Sequence, residues 1–466
     1  VIDPAGATAT LRSELAGIDG WLVGGAVRDA VLGRPVLDLD VVVPGDPRAV
    51  ARARAAASGG AVFALSERHG AWRVVEGDRT VDVTGAHGSI AEDLARRDLT
   101  VNAIAVAIGS GAVLDPFRGG EDLAAGTLRL VSERAFHDDP LRLLRLVRLA
   151  SELELAVDDA TVLRAAADAA LLPNAAPERR LAELQRTLLV RDPIDAFALL
   201  ERCGLLTVAL PEVAALRGVL QSRFHHLDVL DHTLHTVDAA ADIADNLGAY
   251  FDDPGAELIS RTLDEPVDGT IDQRGALRWA ALLHDIGKPL TRSEASPGAI
   301  RFLDHERVGR SVAGALLADL HASASLRALC EVLVGTHLRL GFLARESPLP
   351  ARVAYRYALA TRPSPAAAIV LSLAERLATR GPATRLRGVR RHAGIAREMA
   401  NAVAALGPVP PRLLLGADEL AEAIGLAPGP ALGRLVAAVQ EEQAAGAVTS
   451  RDDAIAFARS WLAAEG

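Results

Sequence analysis

Short apolar and β-branched runs punctuate the first part of the chain, around Leu22 and at residues 41–43, 61–65, 72–75, 81–84 and 104–108, with Gly-rich turns between them. Runs of this length bounded by turn residues predict strands, and the few helical stretches among them make residues 1–138 an α+β head. The pattern then changes. DDPLRLLRLVRLASEL and PERRLAELQRTLLV space their apolar residues three and four apart, which predicts a helical neck over residues 139–220. Residues 221–380 stay helical and carry most of the histidines. Residues 381–466 form a helical tail, with GPVPPR at 407–412 as a rigid break. The segment DDPGAELISRTLDEPVDGT at 252–270 is acidic and interrupted by Pro and Gly, so an exposed insertion is expected there. No internal repeat is visible.

A chain of 466 residues has room for three or four domains with cores of their own. Half of its residues are hydrophobic but only 3% are aromatic, and alanine is abundant, so small-residue helix packing is expected. Cys203 and Cys330 stand apart with no C-x-x-C spacing, which fits the reducing cytoplasm. No stretch of roughly 18 apolar residues occurs, and no membrane span or secretion signal is expected. A net charge of −10 argues against coating nucleic acid indiscriminately, so any RNA contact must be local. Residues 228–272 hold twelve acids against one base, Arg261, whereas residues 339–398 hold twelve arginines against Glu346, Glu375 and Glu398. The second stretch is the candidate phosphate-backbone surface.

The most informative segment is WLVGGAVRDAVLGRPVLDLDVVV, residues 21–43. A short strand runs into Gly24-Gly25, where the backbone can approach a phosphate at the start of a helix, with Arg28 one turn inside. Gly33 and Pro35 end that helix. The next strand carries Asp38 and Asp40 two apart, hence on one face. Two acids beside valines are costly unless a cation joins them, and Mg2+ with its oxygen ligands meets that need. The segment resembles the signature of the class II tRNA nucleotidyltransferase and bacterial poly(A) polymerase family, within the polymerase-β-like superfamily. That resemblance implies a nucleotidyltransferase head with a small mixed sheet, followed by an all-α neck, an HD domain and a helical tail.

Further segments are similar to the same family, in the same order. In EDLARRDLTVNAIAV, residues 92–106, Arg97, Asp98 and Asn102 can meet a nucleotide where a loop enters a strand. The resemblance implies that Arg97 binds the triphosphate and Asp98 helps select ribose, with Leu99 where phenylalanine is usual. DPFRGGEDL, residues 115–123, matches a turn between head and neck. In FHDDPLRLLRLVRLASEL, residues 136–153, Asp138 or Asp139 is expected to cap a helix starting at Pro140, bringing the Asp139 carboxylate and the Arg142 guanidinium together. One acceptor and one fork of donors can pair with the Watson–Crick edge of a base. In the family this acid and arginine select C or A without a template. Arg145 and Arg148 follow at three-residue steps and are expected to reach phosphates. ERRLAELQRTLL, residues 178–189, reads as a scaffold helix with Arg179 and Arg180 as RNA contacts.

A second constellation lies in residues 225–337. His284-Asp285 in LLHDIGKP is the mark of the HD metal-dependent phosphohydrolase superfamily, and His232, His305 and His337 fall where that resemblance expects further ligands. Imidazoles with a carboxylate suit a transition metal. Glu375 in LSLAERLATR stands where a terminal aspartate is usual. The last segment, residues 413–462 with its PGP-x-x-G turn, resembles the C-terminal helical module of HD-containing members.

The family implies attack by the 3′-hydroxyl of tRNA on the α-phosphate of CTP or ATP, with release of pyrophosphate and completion of CCA. Residues 83–89, VTGAHGS, leave little room for the flexible loop of full CCA-adding members, so enzymes adding only CC or only A, and poly(A) polymerases, stay open as alternatives. From other classes, an HD phosphohydrolase with a non-catalytic head and a non-enzymatic RNA chaperone also stay open.

Overall fold

The computed structural model describes residues 2–66, 70–296, 299–406 and 411–465. They divide into two compact units, Val1–Arg191 with Ala198–Ala209, and Asp192–Phe197 with Leu210–Gly466. The first four residues of the break expected at 407–412 lie outside the described residues.

The first unit is built on a seven-stranded sheet: β1 (Trp21–Val23), β2 (Asp38–Val43), β3 (Ala61–Ser66), β4 (Ala71–Glu76), β5 (Arg79–Gly85), β6 (Ala105–Ala107) and β7 (Val113–Leu114). Each strand segment expected from the sequence is present. The order is β3-β4-β5-β2-β1-β6-β7, and every pairing is antiparallel except β2 with β5. The inner position of β1 and β2 explains their apolar runs: Leu22, Val23, Leu39 and all three of Val41, Val42 and Val43 are buried. The parallel register sets Asp38 opposite Thr80 and Asp40 opposite Asp82, while β1 sets Val23 beside Asp40. A third acid thereby joins the pair on β2.

Helices follow the capping chemistry of the sequence. Gly24, at φ 71, turns the chain from β1 into α1 (Gly25–Val31). α2 (Pro47–Ser58) starts at a proline behind Asp46, whose side chain accepts from the Arg48 N–H, and it packs on β4 and β5. Ser89 and Glu92 form a capping box at α3 (Ile90–Ala95). In α4 (Arg142–Leu153) Leu143, Leu146, Val147 and Leu149 are buried, and the helix lies against α5 (Pro177–Leu188).

In the second unit α6 (Val229–Asp245), α7 (Asp253–Leu263), α8 (Gln273–Leu283), α9 (His305–Asp319), α10 (Ala324–Thr336), α11 (Pro365–Ala378) and α12 (Leu386–Leu406) pack around one another, with α8 and α11 almost wholly buried. The expectation for residues 252–270 is corrected here. Pro254 falls in the first turn of α7, where its missing N–H costs nothing, and Gly255 lets α7 close on Ala400 of α12 while its N–H donates to Asn401 Oδ1 at 3.1 Å. The residues that looked like breakers start a packed helix. At the C-terminal end α13 (Ala417–Ile424), α14 (Pro430–Ala444) and α15 (Arg451–Glu465) share a small core of Leu420, Leu435, Val439, Ala454 and Ala458. Arg352 and Arg356, on a helix at Ala351–Ala360, tie it to α14 through Glu442 and Glu441, at 2.6 and 2.7 Å. No described helix is long and apolar enough to cross a membrane.

Ile259 and Leu263 on α7 are fully buried. Leu263→Ala is expected to destabilise the second unit by about 2–5 kcal/mol, read as a lower denaturation midpoint. An unchanged midpoint would restore the exposed-insertion reading.

Candidate active site and metal centre

Three elements converge in the head. A Cβ built on Gly24 would lie 2.5 Å from Arg97 Nη1 and 2.9 Å from Asp40 Oδ2, so glycine alone lets the strand-to-helix turn, the arginine and the acid meet. Asp38 is exposed at the start of β2 and accepts a hydrogen bond from Thr80 Oγ1 at 2.6 Å. Asp82 is held in a two-point pair by Arg73, at 2.7 Å on each oxygen. Asp40, between them, makes no hydrogen bond or ion pair among the described residues. Burial raises its pKa, with Asp82 and Asp38 adding to the effect and Arg97 and Arg145 opposing it. Hard oxygens, one carboxylate half-buried and unpaired and one at the surface, are a donor set that fits a divalent cation such as Mg2+.

Behind this face runs a continuous polar chain. Asp29 holds Arg28 at 2.8 and 2.9 Å, Arg28 donates to Asn102 Oδ1 at 2.6 Å, Asn102 donates to Asp98 Oδ1 at 2.9 Å, and Arg145 Nε lies 2.6 Å from Asp98 Oδ2. Burial opposes ionisation of Asp98, but Arg145, Asn102 and the Leu99 N–H prevail and hold its carboxyl below the usual range. Arg28 and Asn102, expected at the nucleotide, stand in a row behind Asp98. A cavity of about 300 Å³ opens beside the chain, lined by His87, Arg97, Asp98, Asp139, Arg142, Arg145 and Arg179.

Asp139 and Arg142 do come together there. Helix α4 begins at Arg142, later than expected, and Asp139 accepts from the Leu141 N–H at 3.1 Å and from Arg179 at 3.1 Å. Arg142 is aimed by the carbonyls of Arg96 at 2.6 Å and Ala135 at 3.2 Å. Arg148 is corrected: it is 3% exposed and pinned by Glu183 at 2.5 Å and Glu152 at 2.6 Å, so it braces α4 on α5 and reaches no phosphate. Asp82, Arg73 and Asp29 escaped the sequence reading. Alternation in RTVDVTG marks Asp82 as facing one side of a strand, but which strand lies next to it is a long-range fact.

The second unit gathers His232, His284, Asp285, His305 and His337, all buried. The Nδ1 atoms of His284, His305 and His337 each lie 2.7–2.8 Å from the carbonyl three residues back, of Ala281, Phe302 and Val334. That contact places the proton on Nδ1 and leaves Nε2 as a ligand. His305 Nε2 is 3.3 Å from Asp285 Oδ1, and His284 Nε2 is 3.1 Å from Oδ2. Nε2 of His232 and His284 and both oxygens of Asp285 are sealed from solvent without a well-formed hydrogen bond. Burial pushes His337 down to about 3, hence neutral. Orphaned buried donors of this kind fit a transition metal. Lys288, the only lysine of the chain, stands 2.5 Å from Asp285 Oδ2 and is steadied by Gln221 at 2.6 Å. Glu375 lies outside the two groups, His232–His284–Asp285 and Asp285–His305–His337, whose ligand atoms approach within 4.8 Å, although its charge is felt by His284.

Comparison with known proteins agrees with this division. Poly A polymerase head domain matches residues 20–88 and 84–129, a probable RNA and SrmB binding site of polymerase A matches 154–216, and HD domain matches 229–380. The chain is 35% identical over 446 residues to an A-adding tRNA nucleotidyltransferase of Deinococcus radiodurans, covering 94% of this chain and 95% of that one. It is also 35% identical over 464 residues to a CC-adding tRNA nucleotidyltransferase of Thermus thermophilus, covering 95% and 94%. The fold is similar to a Thermotoga maritima CCA-adding enzyme complexed with tRNA, with TM-score 0.61 and 16% identity over 97% of this chain and 93% of that one.

Metal-free protein given Mn2+ or Zn2+ at about 100 times its dissociation constant is expected to gain about 2.7 kcal/mol of stability, read as a rise in unfolding temperature. Asp285→Asn is expected to abolish the metal-dependent rise. The same rise in the variant would place the metal elsewhere.

Proposed function

Since the chain belongs to the tRNA nucleotidyltransferase and poly(A) polymerase family, we propose that it adds CMP and AMP from CTP and ATP to the 3′ end of tRNA, releasing pyrophosphate. The observation that carries the reading is Asp40, a half-buried carboxylate left unpaired beside Gly24 and Arg97 on the strand that also bears Asp38. In the reaction the RNA 3′-oxygen forms a bond to the α-phosphorus, the bond from that phosphorus to the pyrophosphate oxygen breaks, and the hydroxyl proton is lost. Mg2+ held by Asp38 and Asp40 would neutralise charge on the phosphates and favour the ionised hydroxyl. The chain's own residues position the reactants, which is most of what such a transfer requires.

Gly24 and Gly25 supply close backbone approach, and Arg97 a guanidinium for the triphosphate. Asp98 is held ionised and fixed in direction by Arg145 and Asn102, as a ribose acceptor must be. Asp139 and Arg142 present an acceptor and a fork of donors to the base within the 300 Å³ cavity. The histidine centre is read as a second metal site whose phosphohydrolase chemistry is separate from the head.

A second reading, partial addition, is favoured by one observation. β5 ends at Gly85 and Ser89 already caps α3, so only residues 86–88 lie free between strand and cap, and the two near full-length relatives bear the names of A-adding and CC-adding enzymes. Incubating tRNA lacking its 3′ end with each labelled triphosphate separates the cases: C then A, C alone, A alone, or a long A tail. Asp38→Ala and Asp40→Ala are each expected to reduce addition by about a thousandfold or more, in line with removal of charge stabilisation at the reacting phosphate. Retained addition in either variant would reject the proposed site.

A further inference from the structure

The twelve arginines of residues 339–398 have different tasks. Arg352 and Arg356 pair with Glu442 and Glu441, Arg397 donates to the Tyr250 carbonyl at 2.6 Å, and Arg380 to the Leu377 carbonyl at 3.0 Å. Arg345, Arg376 and Arg391 instead line a cavity of about 630 Å³, and none of the three forms an ion pair among the described residues. A neighbouring cleft, sharing Arg376 and Arg391 with it, adds Arg223, Arg385 and Arg387. Guanidinium groups brought together without ion-pair partners repel one another, and a bound anion relieves that repulsion.

The cavity is a built feature. Phe224, which lines it, is held by the segment after α11: the Gly381 N–H and the Thr384 hydroxyl donate to the Phe224 carbonyl at 2.7 and 3.0 Å, and the Ala383 N–H donates to the Arg223 carbonyl at 3.1 Å. A Cβ on Gly381 would lie 2.2 Å from the Phe224 carbonyl carbon, so glycine permits the seam. The only acid in the lining among the described residues, Glu375, stands on the side of the histidine cluster. His225 lies there too, its ring 4.7 Å edge-on from that of His232 and its Nδ1 sealed from solvent with no partner among the described residues. At the rim Phe342 is 78% exposed and Phe224 46%. Exposed rings beside unpaired arginines are the combination that stacks a base while holding its phosphate.

We propose that this cavity is a phosphate subsite for a nucleotide: Arg345, Arg376 and Arg391 take the phosphoryl group beside the histidine cluster, and Phe342 takes the base. The assignment rests on the cavity and requires neither metal in the cluster nor nucleotide addition by the head. The phosphate can come from a free mononucleotide or from an RNA chain, and both present the same group.

Isothermal titration of the full chain with inorganic phosphate, AMP and tRNA tests it, in an Arg97→Ala background that removes the head's triphosphate contact. Arg376→Ala and Arg391→Ala are each expected to weaken phosphate and AMP binding by about tenfold or more, with Arg391→Lys intermediate. Phe342→Ala is expected to weaken AMP but not inorganic phosphate. Loss of AMP binding alone identifies a free nucleotide as the source, and loss extending to tRNA identifies an RNA phosphate. Circular dichroism reports the folding of each variant. Native-like Arg376→Ala and Arg391→Ala proteins that bind phosphate, AMP and tRNA undiminished would overturn the assignment.

Discussion

A single buried charge, the Asp98 carboxylate, sets the order of the head. It is 8% exposed, and stays ionised only because Arg145, Asn102 and the Leu99 N–H surround it. These partners come from different parts of the chain: Arg145 from α4, Asn102 from the turn before β6, and Arg28 of α1 from behind Asn102. The charge is therefore satisfied only when α1, the sheet and the neck helix are assembled together. Removing one partner from such a buried pair strands the other and costs about 3–5 kcal/mol, so the chain specifies a geometry more than it adds stability.

Against that background the contrast among the sheet acids has meaning. Asp82 is neutralised by Arg73 and Asp98 by Arg145, whereas the half-buried Asp40 has no partner among the described residues. Of the acids on this face, Asp40 and the surface Asp38 are the ones whose oxygens are left for a ligand. The histidine centre follows the same logic with different atoms. Three backbone carbonyls occupy the outer nitrogens, so the inner nitrogens face Asp285, whose Oδ2 also meets Lys288.

Local chemistry explains what could be read from the sequence. Glycines, caps and period-two runs mark the sheet strands of the head other than the two-residue β7, and the turn at Gly24, because these depend on neighbours a few residues away. The acids on β2 and the pairing of Asp139 with Arg142 were legible for the same reason. Long-range partners were not. Nothing in the string shows that β5 is the parallel neighbour of β2, which brings Asp82 to Asp40, or that Glu183 waits for Arg148 across α4 and α5. The segment at 252–270 failed differently: Pro and Gly were read as breakers, whereas Pro254 opens a helix and Gly255 allows close approach to Ala400.

Base choice in the proposed reaction follows from how Arg142 and Asp139 are held. Carbonyls of Arg96 and Ala135 aim the guanidinium, and the Leu141 N–H and Arg179 fix the carboxylate, so the site presents one acceptor beside one fork of donors. Cytosine and adenine both offer an amino donor next to a ring-nitrogen acceptor, and that pattern complements the pair; guanine and uracil offer a carbonyl next to a ring N–H, which opposes it. Polarity thus separates C and A from G and U but does not separate C from A. The remaining difference is size, one ring against two, within a cavity of about 300 Å³ whose His87 wall belongs to the short link between β5 and α3. A link this short has little slack with which to enlarge the cavity, which is the physical reason that link length bears on whether one protein accepts both bases.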